Sequence, residues 1–414
     1  MKYKMPGYRH ITLCFIWFFL PLASLKAQTS AADSTRSFIH RIQVEGRPAY
    51  VIPTNPFLKG DNERWKSIET SFSGHLKYSF QFRPNTCADR IYGGAYQGFG
   101  VSLNTFGDRK QLGDPMAFYL FQGARIARFT PRLSLNYEWN FGISAGWQPY
   151  DNNYNSYNGA VGSRMNAYIN AGIYLNWTLS RHIDLVLGGD FTHFSNGNTK
   201  FPNAGINMTG AKIGLTYNFN REDIDLTRSF SQPAIPRFPR HISYDLVLFG
   251  SWRRKGVFLG EKQIASPGTY PVAGFNFAPM YNVGYKFRVG ASLDGVFDGS
   301  ANVYTEDYIS EYGGGGSGQY QFYKPGIQHQ LALGLSGRAE YVMPYFTISM
   351  GMGTNVIGRG DMRGFYQILA LKIGVTKSSF LHIGYNLQNF KTPNYLMLGL
   401  GFRFHNKYPK VRHY

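Results

Sequence analysis

The sequence has 414 residues with 43 Lys or Arg against 24 Asp or Glu, a formal charge of +19, alongside 33 Phe, 30 Tyr, 6 Trp and 48 Gly. After the first thirty residues no apolar run approaches the roughly 20 residues that a membrane-spanning helix needs, which excludes a helical membrane protein; two cysteines exclude a disulfide-stapled scaffold. So much aromatic side chain beside so much glycine is unusual for a soluble domain. It suits a membrane β-barrel, whose outward residues alone meet lipid, with a secreted β-sandwich as the alternative.

Taken in chain order, Lys2, Lys4 and Arg9 precede an apolar run over 11–25 that ends at Ser24-Leu25-Lys26-Ala27. This reads as a cleavable secretory signal over 1–27, with the mature chain starting at Gln28 and Cys87 as its one thiol. Losing Lys2, Lys4, Arg9 and Lys26 leaves a charge of about +15. In an exported protein that points away from nucleic acid, and toward either anionic surfaces such as lipopolysaccharide phosphates or simply solvated loops and lumen.

Period-two alternation then predicts strands at 41–52, 74–82, 97–106, 116–129, 133–147, 166–179, 183–195 and 205–219. The cleanest places Leu133, Leu135, Tyr137, Trp139, Phe141, Ile143, Ala145 and Trp147 on one face. A charged stretch with three prolines, 220–241, reads as a linker. Beyond it strands are predicted at 242–252, 273–285, 288–297, 328–343, 345–352, 366–375, 381–388 and 395–404. The expected architecture is all-β: an antiparallel transmembrane barrel of about 16 strands, in one barrel or, alternatively, in two tandem eight-stranded barrels spanning 28–219 and 242–414. A single closed sheet is favoured because it needs only one seam.

The two halves end alike, on "GLTYNF" from Gly214 and "GLGFRF" from Gly399, and each ending follows a similar phrase, "TKFPN" at 199–203 and "FKTPN" at 390–394. An internal duplication is the simplest account. The second copy lacks a His-x-Ser: counting back from its Pro-Asn, Ser195 becomes Asn386, and His382 lies two residues too far upstream to replace His193.

In "IDLVLGGDFTHFSN" the residues Ile183, Leu185, Leu187 and Phe191 share a parity, so His193 and Ser195 fall on the same apolar, lipid-directed face. His193 is eleventh from Ile183, and about 9–11 tilted strand residues cross the hydrocarbon. An ionisable group there is costly unless it lies at the interface. Because barrel strands finish on the periplasmic side, 183–195 climbs outward and the turn 196–204 belongs at the external surface, where lipid ester bonds are found. If Ser195 pairs with Gly205, His193 faces Asn207, with Cβ atoms about 4.5–5.5 Å apart. A serine, a base and a group that orients the base are what nucleophilic acyl transfer needs. Asn196, Asn203 and the backbone around Gly197 are candidate oxyanion donors. A polar strand end is the plainer alternative.

The stretch "HFSNGNTKFPNAGIN" resembles the motif of PagL-type lipid A 3-O-deacylases, outer-membrane barrel esterases in which His-x-Ser-Asn is followed by Pro-Asn-x-Gly. The match covers His193, Ser195, Asn196, Pro202, Asn203 and Gly205. The resemblance implies His193 as base, Ser195 as nucleophile and Asn196 and Asn203 as oxyanion donors, with lipid A or lipopolysaccharide as substrate in the outer membrane of a Gram-negative bacterium. The family's acidic member falls where this chain has Asn207, so slower turnover, a substitute acid such as Glu222 or Asp223, or lost activity are all open. The expected function is a serine esterase that removes an ester-linked acyl chain from lipid A or a related lipid. The alternative is a non-catalytic channel or interaction barrel carrying a remnant of the motif.

No metal or cofactor is expected, since the histidines show no metal-binding spacing. "GGGGSG" at 313–318 lacks the Lys-Ser/Thr of a phosphate loop and reads as a flexible loop; "RGD" at 359–361 reads as coincidence. "WRRK" at 252–255, with Arg237 and Arg240, is a candidate for lipid phosphates or an ordinary basic rim.

Overall fold

The computed structural model describes residues 38–84, 86–221, 234–259, 262–266, 268–305, 322–390 and 392–409. The predicted signal, Glu222, Asp223 and the glycine run at 313–318 lie outside them.

The first half supplies β1 (Phe38–Ile52), β2 (Thr70–Phe82), β3 (Tyr96–Thr105), β4 (Gly113–Arg128), β5 (Leu133–Trp147), β6 (Met165–Thr178), β7 (Ile183–Ser195) and β8 (Ile206–Asn218). They form one closed antiparallel barrel in chain order, sealed where β8 meets β1 with Leu215 opposite Val44. The second half runs β9 (His241–Arg253), β10 (Gly256–Leu259), β11 (Lys262–Ala265), β12 (Tyr270–Asn282), β13 (Phe287–Asp298), β14 (Tyr304–Thr305), β15 (Phe322–Tyr323), β16 (Leu331–Val342), β17 (Phe346–Ile357), β18 (Phe365–Gly374), β19 (Ser379–Gln388) and β20 (Thr392–Phe404). Eight of these close a second barrel, sealed where β20 meets β9 with Leu400 opposite Leu248. The pairs β10–β11 and β14–β15 are small hairpins outside it.

The favoured single sheet of about 16 strands is therefore corrected to two eight-stranded barrels, the alternative arrangement. Once β8 has paired with β1, no strand of the first half keeps a free edge for β9. Eight strands also enclose a lumen just wide enough for side chains to fill.

Polarity is inside out. Along β1, Arg41, Gln43, Glu45 and Arg47 are buried while Ile42 and Val44 are exposed, and the same alternation runs along β7. An exposed apolar wall around a polar lumen is the arrangement that lipid demands. The lumens are filled by ion pairs. In the first barrel Lys77 lies 2.6 Å from both Glu45 and Glu138, Lys212 lies 3.3 Å from Glu138, and Arg47 reaches Asp190 at 2.9 Å. In the second, Asp245 accepts Arg288, Lys372 and Arg403, each at 2.9 Å. These lumen cations are largely matched by lumen carboxylates, with Glu340 beside Asp245 also paired to Arg288 and Lys372, so they do not account for the basic excess. One predicted parity fails: Trp147 is buried rather than outward, because the backbone kinks at Gly146 with φ 100° as the β4–β5 register shifts. Its ring joins Phe106 and Phe194 inside the barrel, at the strand end that bears Ser195.

Candidate active site

β7 and β8 pair without a register shift, and the pairing puts His193 opposite Asn207. His193 and Ser195 are half-buried on the outer wall, in line with exposed Ile183, Leu187 and Phe191. Their neighbours on β6 are Ile169 and Ala167. His193 Nδ1 lies 2.7 Å from Asn207 Oδ1. An amide oxygen only accepts, so Nδ1 carries the hydrogen and the neutral ring keeps its lone pair on Nε2.

Gly205 leaves open space beside the imidazole and Ser195. It has φ 71°, in the left-handed region. A Cβ built there would stand 2.9 Å from Phe194 O, 3.3 Å from His193 Cε1 and 3.6 Å from Ser195 Cβ. A side chain at 205 would thus strain the backbone and intrude beside both groups. Among the described residues, neither Ser195 Oγ nor His193 Nε2 has a hydrogen-bond partner. The two are adjacent but unengaged, a common state of a resting site whose bonds tighten around substrate.

The three oxyanion candidates differ. Asn196 is buried and its Nδ2 has no hydrogen-bond partner among the described residues, while its backbone N–H donates to Asn203 Oδ1 at 2.9 Å. A buried donor without an acceptor costs roughly 1–3 kcal/mol and calls for an explanation; an oxygen that becomes negative during reaction would supply one. Asn203 is more committed, since its Nδ2 donates to Asn198 Oδ1 at 3.1 Å. Gly197 has φ 63°, as does Asn198.

Sequence reasoning missed what holds this turn. Gly205 N–H donates to Ala160 O at 3.0 Å and Ala204 N–H to Gly159 O at 3.3 Å, so the β5–β6 loop supports its far end. On the near side Asn198 Nδ2 donates to Asn394 O at 3.3 Å, and Arg254 N–H donates to Asn198 O at 3.1 Å. No local pattern marks these contacts; the repeated Pro-Asn at 393–394 was the one hint.

The other motifs resolve into structure. Arg253 pairs with Asp298 at 2.9 Å, Lys255 pairs with Asp361 of the "RGD", and Asp361 also accepts from Asn302 N–H at 2.9 Å. Arg237 and Arg240 are exposed beside the start of β9, at the end of that strand away from Arg254 and the turn at 196–204. No group of three or more His, Cys, Asp or Glu side chains able to hold a metal occurs among the described residues.

Fold and site together define a transmembrane β-barrel that carries a His–Ser–Asn constellation on its outer wall. Residues 74–216 match the family model described as lipid A 3-O-deacylase (PagL), and residues 242–406 match the model described as acyloxyacyl hydrolase, C-terminal domain. The chain belongs to the PagL-type lipid A 3-O-deacylase family, as an elongated form with a second barrel. No curated protein matches it.

Among solved structures, the outer-membrane enzyme PagL is 14% identical, covering 42% of this chain and 97% of its own, with a TM-score of 0.28. Neisserial surface protein A is 7% identical over 44% of this chain and 97% of its own, at 0.29. The siderophore receptor PirA from Pseudomonas aeruginosa is 7% identical over 88% and 80%, at 0.25.

Proposed function

We propose that the protein is a serine esterase of a Gram-negative outer membrane that removes an ester-linked acyl chain from lipid A or a related outer-leaflet lipid. The observation that carries this is the 2.7 Å contact from His193 to Asn207, made on the lipid-facing wall beside Ser195. A histidine oriented by a cross-strand partner has no packing role on an apolar exterior, and its cost there is repaid by function.

Ser195 Oγ attacks the ester carbonyl while His193 Nε2 takes the hydroxyl proton. The carbonyl oxygen becomes an oxyanion, with Asn196 Nδ2 and the Gly197 N–H as donors and Asn203 holding Asn196 in place. When the tetrahedral intermediate collapses, the C–O bond to the sugar breaks and the imidazolium returns its proton to the leaving oxygen. A water deprotonated by the same imidazole then attacks the acyl-enzyme, releasing the fatty acid and restoring Ser195. The ordered steps need no metal. Asn207 fixes the tautomer but brings no negative charge to the imidazolium, so turnover should be slower than with a carboxylate there.

Lipid A incubated with the wild type should lose an acyl chain in its mass spectrum, and Ser195→Ala should leave lipid A intact while the barrels retain their heat-modifiable electrophoretic mobility. Equal deacylation by the variant would refute the mechanism. The neutral Asn207 favours a second reading, an interaction barrel with a remnant site; wild-type protein that is folded yet releases no fatty acid would support it.

A further inference from the structure

We infer that the second barrel acts as a brace for the catalytic turn, with Arg253 and Asn394 as positioning residues that act through Asn198. The inference rests on the esterase reading for its kinetic readout.

The half of the turn that bears Asn196 and Gly197 takes its external bonds from the second barrel. Asn198 is gripped twice: its Nδ2 donates to Asn394 O at 3.3 Å, and its carbonyl accepts from Arg254 N–H at 3.1 Å. Within the turn, Asn198 Oδ1 accepts from Asn203 Nδ2 at 3.1 Å, and Asn203 Oδ1 accepts from the Asn196 N–H at 2.9 Å. A connected set of amides thus runs from the second barrel to the residue after the nucleophile. Gly197 lies close to the second barrel's outer wall, where a Cβ built on it would meet Leu396 Cδ1 and Tyr385 Cε2, each at 3.6 Å.

The anchor of this set is fixed in turn. Arg253 Nη1 donates to Asn394 Oδ1 at 2.6 Å and to Asp298 Oδ2 at 2.9 Å, and Asn394 Nδ2 donates to Asn386 Oδ1 at 3.0 Å. Asp298 is almost fully buried, so the guanidinium is held by a charge with little freedom to move. Asn394 is the second-half counterpart of Asn203, and Asn386 that of Ser195. The copy of the motif that cannot catalyse therefore supports the copy that can.

A brace matters because Asn198 and Gly197 both sit in the left-handed region, conformations that a free turn would leave for others. A displacement of about 1 Å in catalytic groups can cost roughly a hundredfold in rate.

The test uses the full-length protein in detergent. Arg253→Met should lower kcat for fatty-acid release about tenfold or more with KM within about twofold. Amides of 196–205 should exchange with deuterium faster while those of β7 and β8 do not change. Arg253→Lys, which keeps a charge near Asp298, should recover part of both effects. If Arg253→Met fails to fold, Asn198→Gly serves instead, since glycine keeps the left-handed backbone but removes the amide that reaches Asn394. Unchanged kcat in a wild-type-active preparation, or a fall in kcat without faster exchange of the turn, overturns the brace. Wild-type protein with no activity speaks against the esterase reading alone; the exchange arm still decides this one.

Discussion

The two barrels share a strand number, a closure rule and a lumen of ion pairs, yet among the described residues only the first presents a neighbouring histidine and serine to lipid. On β7 and β8 the register runs unshifted through His193 and Asn207, so the motif keeps the parity of Ile183 and Phe191 and faces out. On β19 and β20 the register shifts between Asn386 and Leu387. Asn386 and His382 both point into the barrel and are buried. Both lie before that shift, on the inward parity that β19 keeps from Phe380 to Asn386. The difference between a site and a strut is thus set by strand parity as much as by residue identity.

The strongest way to break the comparison is Ser195→Ala, which should cut fatty-acid release at least about a thousandfold. A smaller residual effect, measured on detergent-solubilised lipid A, would mean that another nucleophile serves. Gly205→Ala should come next. Its methyl would strain a residue at φ 71° and press on Phe194 O, so kcat should fall about a hundredfold while the barrel still folds.

Asn207→Asp sharpens the contrast in the opposite direction. A carboxylate opposite His193 would convert a neutral hydrogen bond into a charge-assisted one, about twice as strong. The catalytic rate constant should rise about tenfold, and an unchanged or lower value would show that the imidazolium is not formed in the slow step. The smallest effect is expected in the second barrel. Both ring nitrogens of His382 are buried without hydrogen-bond partners among the described residues, so His382→Leu should leave fatty-acid release unaltered and raise the thermal midpoint by about 2–4 °C. A loss of activity there would assign the second barrel a chemical part.

Much of this was legible in the sequence because it depends on local alternation. β7 spans Ile183–Ser195 as its pattern predicts, and the opposition of His193 and Asn207 follows from pairing Ser195 with Gly205. What was not legible depends on partners far apart in the chain. Whether β8 meets β1 or β9 is decided by closure, not by any residue in β8. Trp147 turned inward through a register shift that leaves no mark on composition, whereas Asn386 is inward by the regular alternation of β19. Asn198 looked like one more turn residue, and only folding brings Asn394 beside it.

The most direct measurement of the central claim is the intact mass and peptide map of the protein after treatment with a lipid-like fluorophosphonate, which labels serines activated by a neighbouring base. The account predicts a single adduct on Ser195 that disappears in His193→Gln. Labelling elsewhere, or none at Ser195 in folded protein, would contradict it.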